Sequence, residues 1–167
     1  MVRRHIVSLG ALAWSYGALL LVLKSPWITG GSIRPDPTSD PARLAFAILQ
    51  AAPTFSSAAV GEAGITPSEV LAWRTLLWSA DAGTRFKDLL ATGSPAGQLY
   101  ALTGLRVIDP AFYRQAVTRV GRLGGTVQTV RGCIVMNERV ADLVREIDEG
   151  RWTSELLAGR TFPAVTQ

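Results

Sequence analysis

The chain has 167 residues, room for one ordinary domain, and 48% of them are hydrophobic, which excludes an intrinsically disordered protein. Arg3, Arg4 and Lys24 are three of the 17 Lys and Arg residues, and the 14 that follow them are balanced by 13 Asp and Glu. This near-neutral balance beyond residue 24 argues against a nucleic-acid-binding protein, which needs a basic surface.

The chain contains a single histidine, His5, and a single cysteine, Cys133. Ser-His-Asp and Cys-His catalysis need an imidazole base, so a folded domain without one argues against both classes. The common zinc sites need several His or Cys ligands, and one cysteine cannot form an intramolecular disulfide. We therefore expect no metal or other cofactor. Cys133 lies in an apolar run and is predicted to be buried; activation as a reactive thiol beside Arg131 is the alternative.

The first 24 residues have the pattern of a membrane-targeting segment. Arg3 and Arg4 precede an uncharged run of eighteen residues that begins at Ile6 and ends at Leu23. As a helix this run is ~27 Å long, close to the ~30 Å hydrocarbon core of a bilayer. We expect a signal anchor that crosses the membrane once, with Arg3 and Arg4 at the membrane interface. The rest of the chain would then lie outside the cytoplasm, in the periplasm or the extracellular space.

Two other interpretations of this segment remain open. A signal peptidase could remove it after the small residues 29–31, leaving a secreted protein, or it could be a buried helix of a soluble protein. Residues 25–39 are rich in Pro, Gly and Ser and are predicted to be a linker. Within this linker, Trp27 suits the membrane interface, where an amphipathic ring is favoured.

Beyond the linker, four helix starts share one pattern, a side chain with an oxygen atom directly before a proline. They are Asp40-Pro41, Thr66-Pro67, Ser94-Pro95 and Asp109-Pro110. The oxygen can accept an otherwise unpaired backbone N–H, and proline at the first helical position has no N–H to leave unpaired. Glu69 adds the third-position acid of a capping box to Thr66. The pattern predicts a helical domain over residues 40–160, with a tail over 161–167.

Apolar periodicity indicates the helices of this domain. They are predicted over residues 40–51, 67–79, 84–92, 95–107, 110–122 and 138–149. Two of them carry core stripes, formed by Tyr113, Ala116, Val117 and Val120 and by Val140, Leu143, Val144 and Ile147. Helix 67–79 is apolar around most of its circumference and includes Trp73 and Trp78, so we expect it at the centre of the domain.

Two segments break the helical pattern. Residues 52–65 show no periodicity and are predicted to be a loop. Residues 126–136 hold two β-rich runs on either side of Arg131 and Gly132, which predicts a small two-stranded hairpin. The expected fold class is therefore mainly α, an irregular domain of antiparallel helices with one small β-hairpin.

Residues 84–122 resemble the paired helices of HEAT-like repeats. The matching residues are Leu89, Leu90, Leu99, Tyr100, Ala101, Leu102 and Leu105, together with the proline-led helix starts. The resemblance covers about forty residues and implies stacked helix pairs, but no repeat recurs at a fixed period along the chain, which argues against a regular solenoid. Residues 93–110 also resemble uncharacterised small exported bacterial proteins, a likeness that implies no activity.

Arginines dominate the charge of residues 106–131, where Asp109 is the one acid. They are Arg106, Arg114, Arg119, Arg122 and Arg131. Residues 138–155 then hold six acids and three arginines, so the two segments could pair within the chain. Alternatively, Arg114, Arg119 and Arg122 form a surface for an acidic protein partner or for anionic lipid headgroups.

These observations predict a non-enzymatic, membrane-tethered helical module, an accessory subunit of a membrane-associated protein complex that binds a protein partner and no nucleic acid. The alternative is a small exported hydrolase, such as a glycan-cleaving enzyme, that relies on carboxylates. Its candidate residues are Glu62, Glu69, Asp81 and Asp88, near Trp73 and Trp78. A cap, a turn and a helix surface are the simpler roles for these acids.

Overall fold

The structure, a computed structural model, describes residues 40–122 and 124–158. In chain order, the elements are α1 (Pro41–Gln50), β1 (Phe55–Val60), α2 (Ser68–Leu77), α3 (Ala82–Thr92), α4 (Pro95–Ile108), α5 (Pro110–Gly121), β2 (Thr126–Gly132), β3 (Ile134–Arg139), α6 (Val140–Asp148) and α7 (Arg151–Leu157). The prediction of a mainly helical domain with a small β element is thus confirmed.

The predicted anchor, the linker and the tail 161–167 lie outside the described residues, as do Arg3, Arg4 and Trp27. Within residues 40–122 and 124–158, none of the helices has both the length and the apolar character that a membrane crossing requires.

Three of the four predicted helix caps are confirmed. Asp40, Ser94 and Asp109 each accept a backbone N–H two or three residues ahead, at 3.0 Å, and a proline follows each of them. Each side chain satisfies a donor that the first helical turn leaves unpaired. Ser94 also donates its hydroxyl to the carbonyl oxygen of Ala52 at 2.7 Å, which fixes the start of α4 against the end of α1.

The fourth cap, Thr66, was predicted wrongly. Pro67, not Thr66, is the residue that precedes α2, and no side chain caps this helix. The backbone of Pro67 is extended, with φ −60° and ψ 152°, so the helix begins one residue later than the capping box requires. The Ser68 hydroxyl donates to the Glu69 carboxylate at 3.0 Å, in place of the predicted reciprocal cap.

Helix α4 forms the centre of the domain and packs against α1, α3 and α5. Nine of its fourteen residues are buried. A Cβ atom at Gly97 would collide with the carbonyl oxygen of Leu49 on α1, and one at Gly104 would lie 2.5–2.7 Å from ring atoms of Phe86 on α3. Both glycines therefore allow neighbouring elements to approach α4 more closely than any other residue would permit.

The central position predicted for helix 67–79 is only half right. Trp73 is fully buried, and its indole Nε1 donates to the carbonyl oxygen of Tyr100 at 3.0 Å. Trp78 lies just after the end of α2 and is 55% exposed, so its predicted burial is wrong. Leu71 is 48% exposed on the same side of α2, since residues seven apart share a helix face.

The core stripes predicted for α5 and α6 are confirmed. Their buried residues are Tyr113, Ala116 and Val120 on α5 and Val140, Leu143, Val144 and Ile147 on α6, while Val117 is partly buried against the same core. The two helices pack against each other, so the stripes meet in one hydrophobic core.

The predicted hairpin is confirmed, since β2 and β3 pair antiparallel from Thr126 opposite Arg139 to Arg131 opposite Ile134. Cys133 is exposed in the turn that joins them, so its predicted burial is wrong. Cys133 is the one residue between the two strands, so its side chain lies at the tip of the hairpin, and the apolar residues after it are exposed.

The loop predicted over residues 52–65 is also wrong, because strand β1 lies there and pairs parallel with β2. Its first four residues are all buried, so the strand lacks the alternation that marks a strand with one face in water. The ring of Phe55 packs edge-on against Tyr100, with 4.8 Å between centroids, and at 4.0 Å from Trp152. The Tyr100 hydroxyl accepts the backbone N–H of Ser56 at 2.9 Å.

Helix α7 was not predicted as a separate element. Gly150, with φ +82°, ends α6 and turns the chain into α7, whose Trp152 and Leu156 are fully buried. The buried Arg74 of α2 donates to the carbonyl oxygens of Leu156 and Ala158, both at 2.8 Å. These bonds satisfy carbonyls that the C-terminus of α7 would leave unpaired.

Candidate functional site

The predicted partner-binding arginines lie at α5, on the side away from its core stripe. Arg114, Arg119 and Arg122 are all exposed. Among the described residues, no carboxylate lies within 4.0 Å of any of them, and none of the three forms a side-chain hydrogen bond. We call these three residues the α5 basic face. Arg119 and Arg122 lie at the helix C-terminus, where the helix dipole favours positive charge.

Other arginines of the described chain are engaged with acids. Arg85, Arg131, Arg139, Arg145 and Arg151 each lie within 4.0 Å of at least one carboxylate. Arg43 on α1 is exposed and has no such partner within the described chain, but it is alone on its helix. The α5 basic face is thus a local concentration of positive charge that the described residues do not neutralise.

Two shallow hollows flank the α5 basic face, and Arg119 lines both. One, of about 140 Å³, also contacts Phe112 and Gln115. The other, of about 280 Å³, lies between α5 and the preceding helices, against Leu90 and Gln98. A guanidinium between two hollows with mixed polar and apolar walls can pair with a partner's carboxylate while that partner's side chains fill the hollows.

The other prediction, charge pairing between the arginine segment and the acidic segment within the chain, holds for Arg131, while Arg106 binds the acidic segment through a backbone carbonyl. Arg106 donates to the backbone carbonyl oxygen of Asp148 at 3.1 Å. Arg131 lies among Glu138, Glu146 and Glu155, with Nη2 in hydrogen-bond contact with the first two. Within the described residues, contacts with the acidic segment therefore engage Arg131 as an ion pair and Arg106 as a hydrogen-bond donor, and they leave the α5 basic face without an acid partner.

The Arg131 cluster, which comprises Arg131, Glu138, Glu146, Glu155 and Trp152, joins four elements. The guanidinium lies 4.4 Å from the centre of the Trp152 ring, and the Trp152 Nε1 donates to Glu146 at 2.9 Å. Pattern reasoning along the chain could not find this cluster, because its residues come from β2, β3, α6 and α7. The acidic character of residues 138–155 was the one signal in the sequence.

The carboxylates of this cluster differ in their pKa. Burial opposes the ionisation of Glu146, but the hydrogen bond and the charge of Arg131 outweigh it and lower the pKa. Burial raises the pKa of Glu155, and its Glu146 neighbour adds to this, against the pull of Arg131. Divergent carboxylate pKa values are typical of acid–base pairs. Here both carboxylates lie beside the Arg131 guanidinium, which also contacts the Trp152 ring. The cluster therefore links secondary-structure elements to each other.

The acids proposed for a hydrolase occupy separate structural positions. Asp81 pairs with Arg85 at 2.7 Å, and this hydrogen bond holds the pKa of the carboxyl below its usual range. Glu69 accepts the hydroxyl of its neighbour in the chain, Glu62 is exposed in the turn after β1, and Asp88 is exposed on α3. Over the described ranges, no three His, Cys, Asp or Glu side chains are arranged to hold a metal ion.

The described domain also has two exposed apolar surfaces. On β3, an outer strand of the sheet, Ile134, Val135 and Met136 are exposed by 59%, 58% and 41%. On the helices, Leu44 and Leu71 both line a groove between α1 and α2. Exposed apolar patches of this kind are typical of interaction surfaces.

In comparisons with known proteins, no family model matches the chain, and neither a curated protein sequence nor a solved structure matches it. The resemblance to HEAT-like repeats stays a prediction.

Proposed function

We propose that this protein is a non-enzymatic, membrane-tethered interaction module, an accessory subunit of a membrane-associated complex whose partner presents an acidic surface to the α5 basic face. The observation that carries the proposal is the contrast between Arg114, Arg119 and Arg122, which have no acid partner in the described chain, and the ion-paired arginines around them.

The physical argument rests on charge complementarity. Three like charges on one helix repel each other, and an acidic partner surface relieves that repulsion while it steers the encounter. The guanidinium forks add directional, bidentate pairing, and the hollows beside Arg119 offer contact for apolar side chains. The partner's patch should therefore combine Asp or Glu residues with one or two protruding apolar groups.

The tether in this proposal is the run from Ile6 to Leu23, with its basic flank at Arg3 and Arg4. It would hold the domain at the outer face of the membrane, in the periplasm or the extracellular space. Fractionation of the full chain beside a chain that begins at Ser25 tests this part. We expect only the full chain to sediment with membranes, and equal behaviour of the two would contradict the tether.

The test of partner binding is a charge reversal on α5. Arg119→Glu should reduce the amount of partner recovered with the protein from detergent-solubilised membranes by about tenfold or more, because like charges would meet across the interface. Its matched control is Arg43→Glu, the same charge change at an exposed arginine that is also unpaired in the described chain. Stability should change by less than about 1 kcal/mol in both variants.

Added salt gives a second measurement on the same complex. Screening shortens the range of charge interactions from ~10 Å at 0.1 M to ~3 Å at 1 M, so recovery of the partner should fall as salt rises. Equal recovery with Arg119→Glu, Arg43→Glu and the unchanged protein would remove α5 as the binding surface. An Arg119→Glu chain that loses stability would instead place this arginine within the fold.

A further inference from the structure

Strand β3 has one edge that the described residues leave without a partner strand. In the sheet order β1-β2-β3, this strand pairs with β2 on one side, and no strand of the described residues lies on its other side. It also packs against α6. The free edge of a strand presents backbone N–H and C=O groups without partners, so it is a template for another extended strand.

The hairpin geometry determines which residues of β3 direct their backbone groups outward. Arg131 and Ile134 are the last pair of the hairpin, with two residues between them. Such a pair exchanges both of its hydrogen bonds within the hairpin, so the next residue, Val135, directs its N–H and C=O away from β2, as does Asn137. The phase agrees with β2, where the Gly132 carbonyl oxygen points away from β3 and accepts the N–H of the residue after β1 at 2.9 Å.

The free edge of β3 lacks the features that normally keep an edge strand unpaired. Residues 134–137 contain no charge, no proline and no glycine, and the first three of them are exposed apolar residues. On β1, the other outer strand, the backbone N–H of Ser56 is already bound by the Tyr100 hydroxyl of the same domain. Edge strands are usually protected by charges, by proline or by a covering element. This edge therefore favours pairing with an extended strand.

A second copy of β3 fits the edge in an antiparallel register about a two-fold axis at Met136. Val135 then lies opposite Asn137 of the second copy, and each such pair can exchange two backbone hydrogen bonds. The axis also brings the two Met136 side chains opposite each other. Ile134 of each copy lies diagonally beside them on the same face, because alternate residues of a strand share a face. The exposed apolar side chains of the two copies thus cover each other.

The charges of β3 are compatible with this register. Glu138 lies opposite Ile134 of the second copy, and Arg139 lies opposite Cys133, so no two like charges face each other. Along the strands, Glu138 is four residues and Arg139 six residues from its own counterpart, or ~13 and ~20 Å at 3.3 Å per residue. Like charges directly opposite each other would destabilise the pairing.

We propose that this protein forms a symmetric dimer in which the β3 strands of two copies pair antiparallel about Met136. The pairing joins two three-stranded sheets into one six-stranded sheet, and the two-fold axis closes the assembly at two copies. One strand pair is a small interface beside the ~1,600 Å² of a standard one, so we expect a reversible dimer whose fraction rises with protein concentration. The inference goes beyond the proposed function, since it uses neither the α5 basic face nor the membrane.

Cysteine cross-linking of the full chain tests the register. In a Cys133→Ser background, Met136→Cys should face the same thiol of the second copy at the ~4.5 Å Cα separation of a non-hydrogen-bonded pair, which a disulfide can span. Ile134→Cys is the matched control, since it lies on the same face of β3 but ~13 Å from its counterpart. Under mild oxidation, Met136→Cys should form disulfide-linked dimers at least about tenfold faster than Ile134→Cys. Equal rates, or monomers alone, would overturn the proposal.

Charge substitution on the axis tests whether the partner strand belongs to a second copy. Met136→Lys places two positive charges opposite each other and should lower the association constant about tenfold, measured by sedimentation of the full chain. Ile65→Lys is the control, since it adds the same charge at an exposed residue outside β3 and should leave association unchanged. An equimolar mixture of Met136→Lys and Met136→Glu chains should restore the dimer, because opposite charges then meet on the axis. A mixture that associates no better than either variant alone would overturn the proposal.

An extended segment from elsewhere, in this chain or in another protein, is the other occupant that the edge of β3 can take. Such a segment would slow the reaction of Met136→Cys with maleimide, while the chain would form no disulfide-linked dimer at any protein concentration. Slow labelling without dimers would therefore replace the second copy as the occupant of this edge.

Discussion

The guanidinium of Arg131 lies 4.4 Å from the centre of the Trp152 ring and so joins strand β2 to helix α7. The same guanidinium contacts Glu138 on β3 and Glu146 on α6. Because Trp152 also packs against Phe55 on β1, the sheet and the last two helices meet at this one side chain. The ion pair is only partly exposed, which protects it from full screening by solvent.

Removal of the Arg131 charge should destabilise the domain. Arg131→Gln would leave Glu138 without its cation and Glu146 with Arg151 alone, at 3.6 Å, and would weaken the contact with Trp152. We expect a loss of about 1–3 kcal/mol in the free energy of unfolding. Arg145→Gln is the control, since Arg145 makes an exposed ion pair whose loss should cost no more than about 1 kcal/mol. Urea unfolding of the full chain measures both, and equal losses would contradict the special position of Arg131.

The contribution of the Arg131 cluster to stability should depend on pH. Glu146 and Glu155 should make contributions of opposite sign. Because the fold lowers the pKa of Glu146, this carboxylate stabilises the fold at pH values above 4.5, its ordinary pKa. This contribution is lost as the pH falls through the folded-state pKa. The raised pKa of Glu155 has the opposite sign, since its contribution is present below 4.5 and is lost as the pH rises through the folded-state pKa.

Two neutral variants separate these effects. At about pH 7, Glu146→Gln should be less stable and Glu155→Gln more stable than the unchanged protein, and both differences should shrink towards about pH 4. Thermal melts across this range provide the measurement. A parallel pH dependence of the two variants would mean that the two carboxylates share one environment.

Trp73 and Trp78 lie in the same predicted helix, but their replacement by alanine should change the stability of the protein by different amounts. Trp73→Ala should cost about 3–5 kcal/mol, because it empties a fully buried site and removes the indole N–H that donates to the Tyr100 carbonyl oxygen. Trp78→Ala should cost less than about 1 kcal/mol, since the side chain is 55% exposed. Denaturant melts compare the two variants, and equal costs would show that Trp78 is covered in the full chain.

Two helical glycines offer a matched test of packing. Gly104→Ala would bring a methyl group to within 2.5–2.7 Å of the Phe86 ring and should cost about 1–3 kcal/mol through overpacking. Gly83→Ala adds the same methyl group on α3 with nothing within 4 Å, and should stabilise the chain by about 0.4–1 kcal/mol. Opposite shifts of the melting temperature are the expected result. A stabilising Gly104→Ala would mean that α3 and α4 are less closely packed than described.

The helix caps can be tested in the same way. Ser94→Ala should cost about 0.5–2 kcal/mol, because it removes the acceptor for the Gly97 N–H and the bond to Ala52. Thr66→Ala should cost less than about 0.5 kcal/mol, since no side chain caps α2. If urea unfolding showed the same loss of stability for Ser94→Ala and Thr66→Ala, Thr66 would cap α2 after all.

Much of the fold could be predicted because local chemistry decides it. Asp40, Ser94 and Asp109 cap helices through bonds that span two or three residues, and the apolar spacing of α5 and α6 matches the helical period. The hairpin follows from two β-rich runs next to each other in the chain. These features depend only on residues that lie close together in the chain.

The sequence by itself therefore determined the helical class, most helix starts and the core stripes of α5 and α6. The tertiary structure decided β1, whose continuous burial follows from its place between β2 and the helices, and the exposure of Trp78 and Cys133. It also decided which arginines are neutralised, because an ion pair depends on residues that only the packing of distant segments brings within 4 Å.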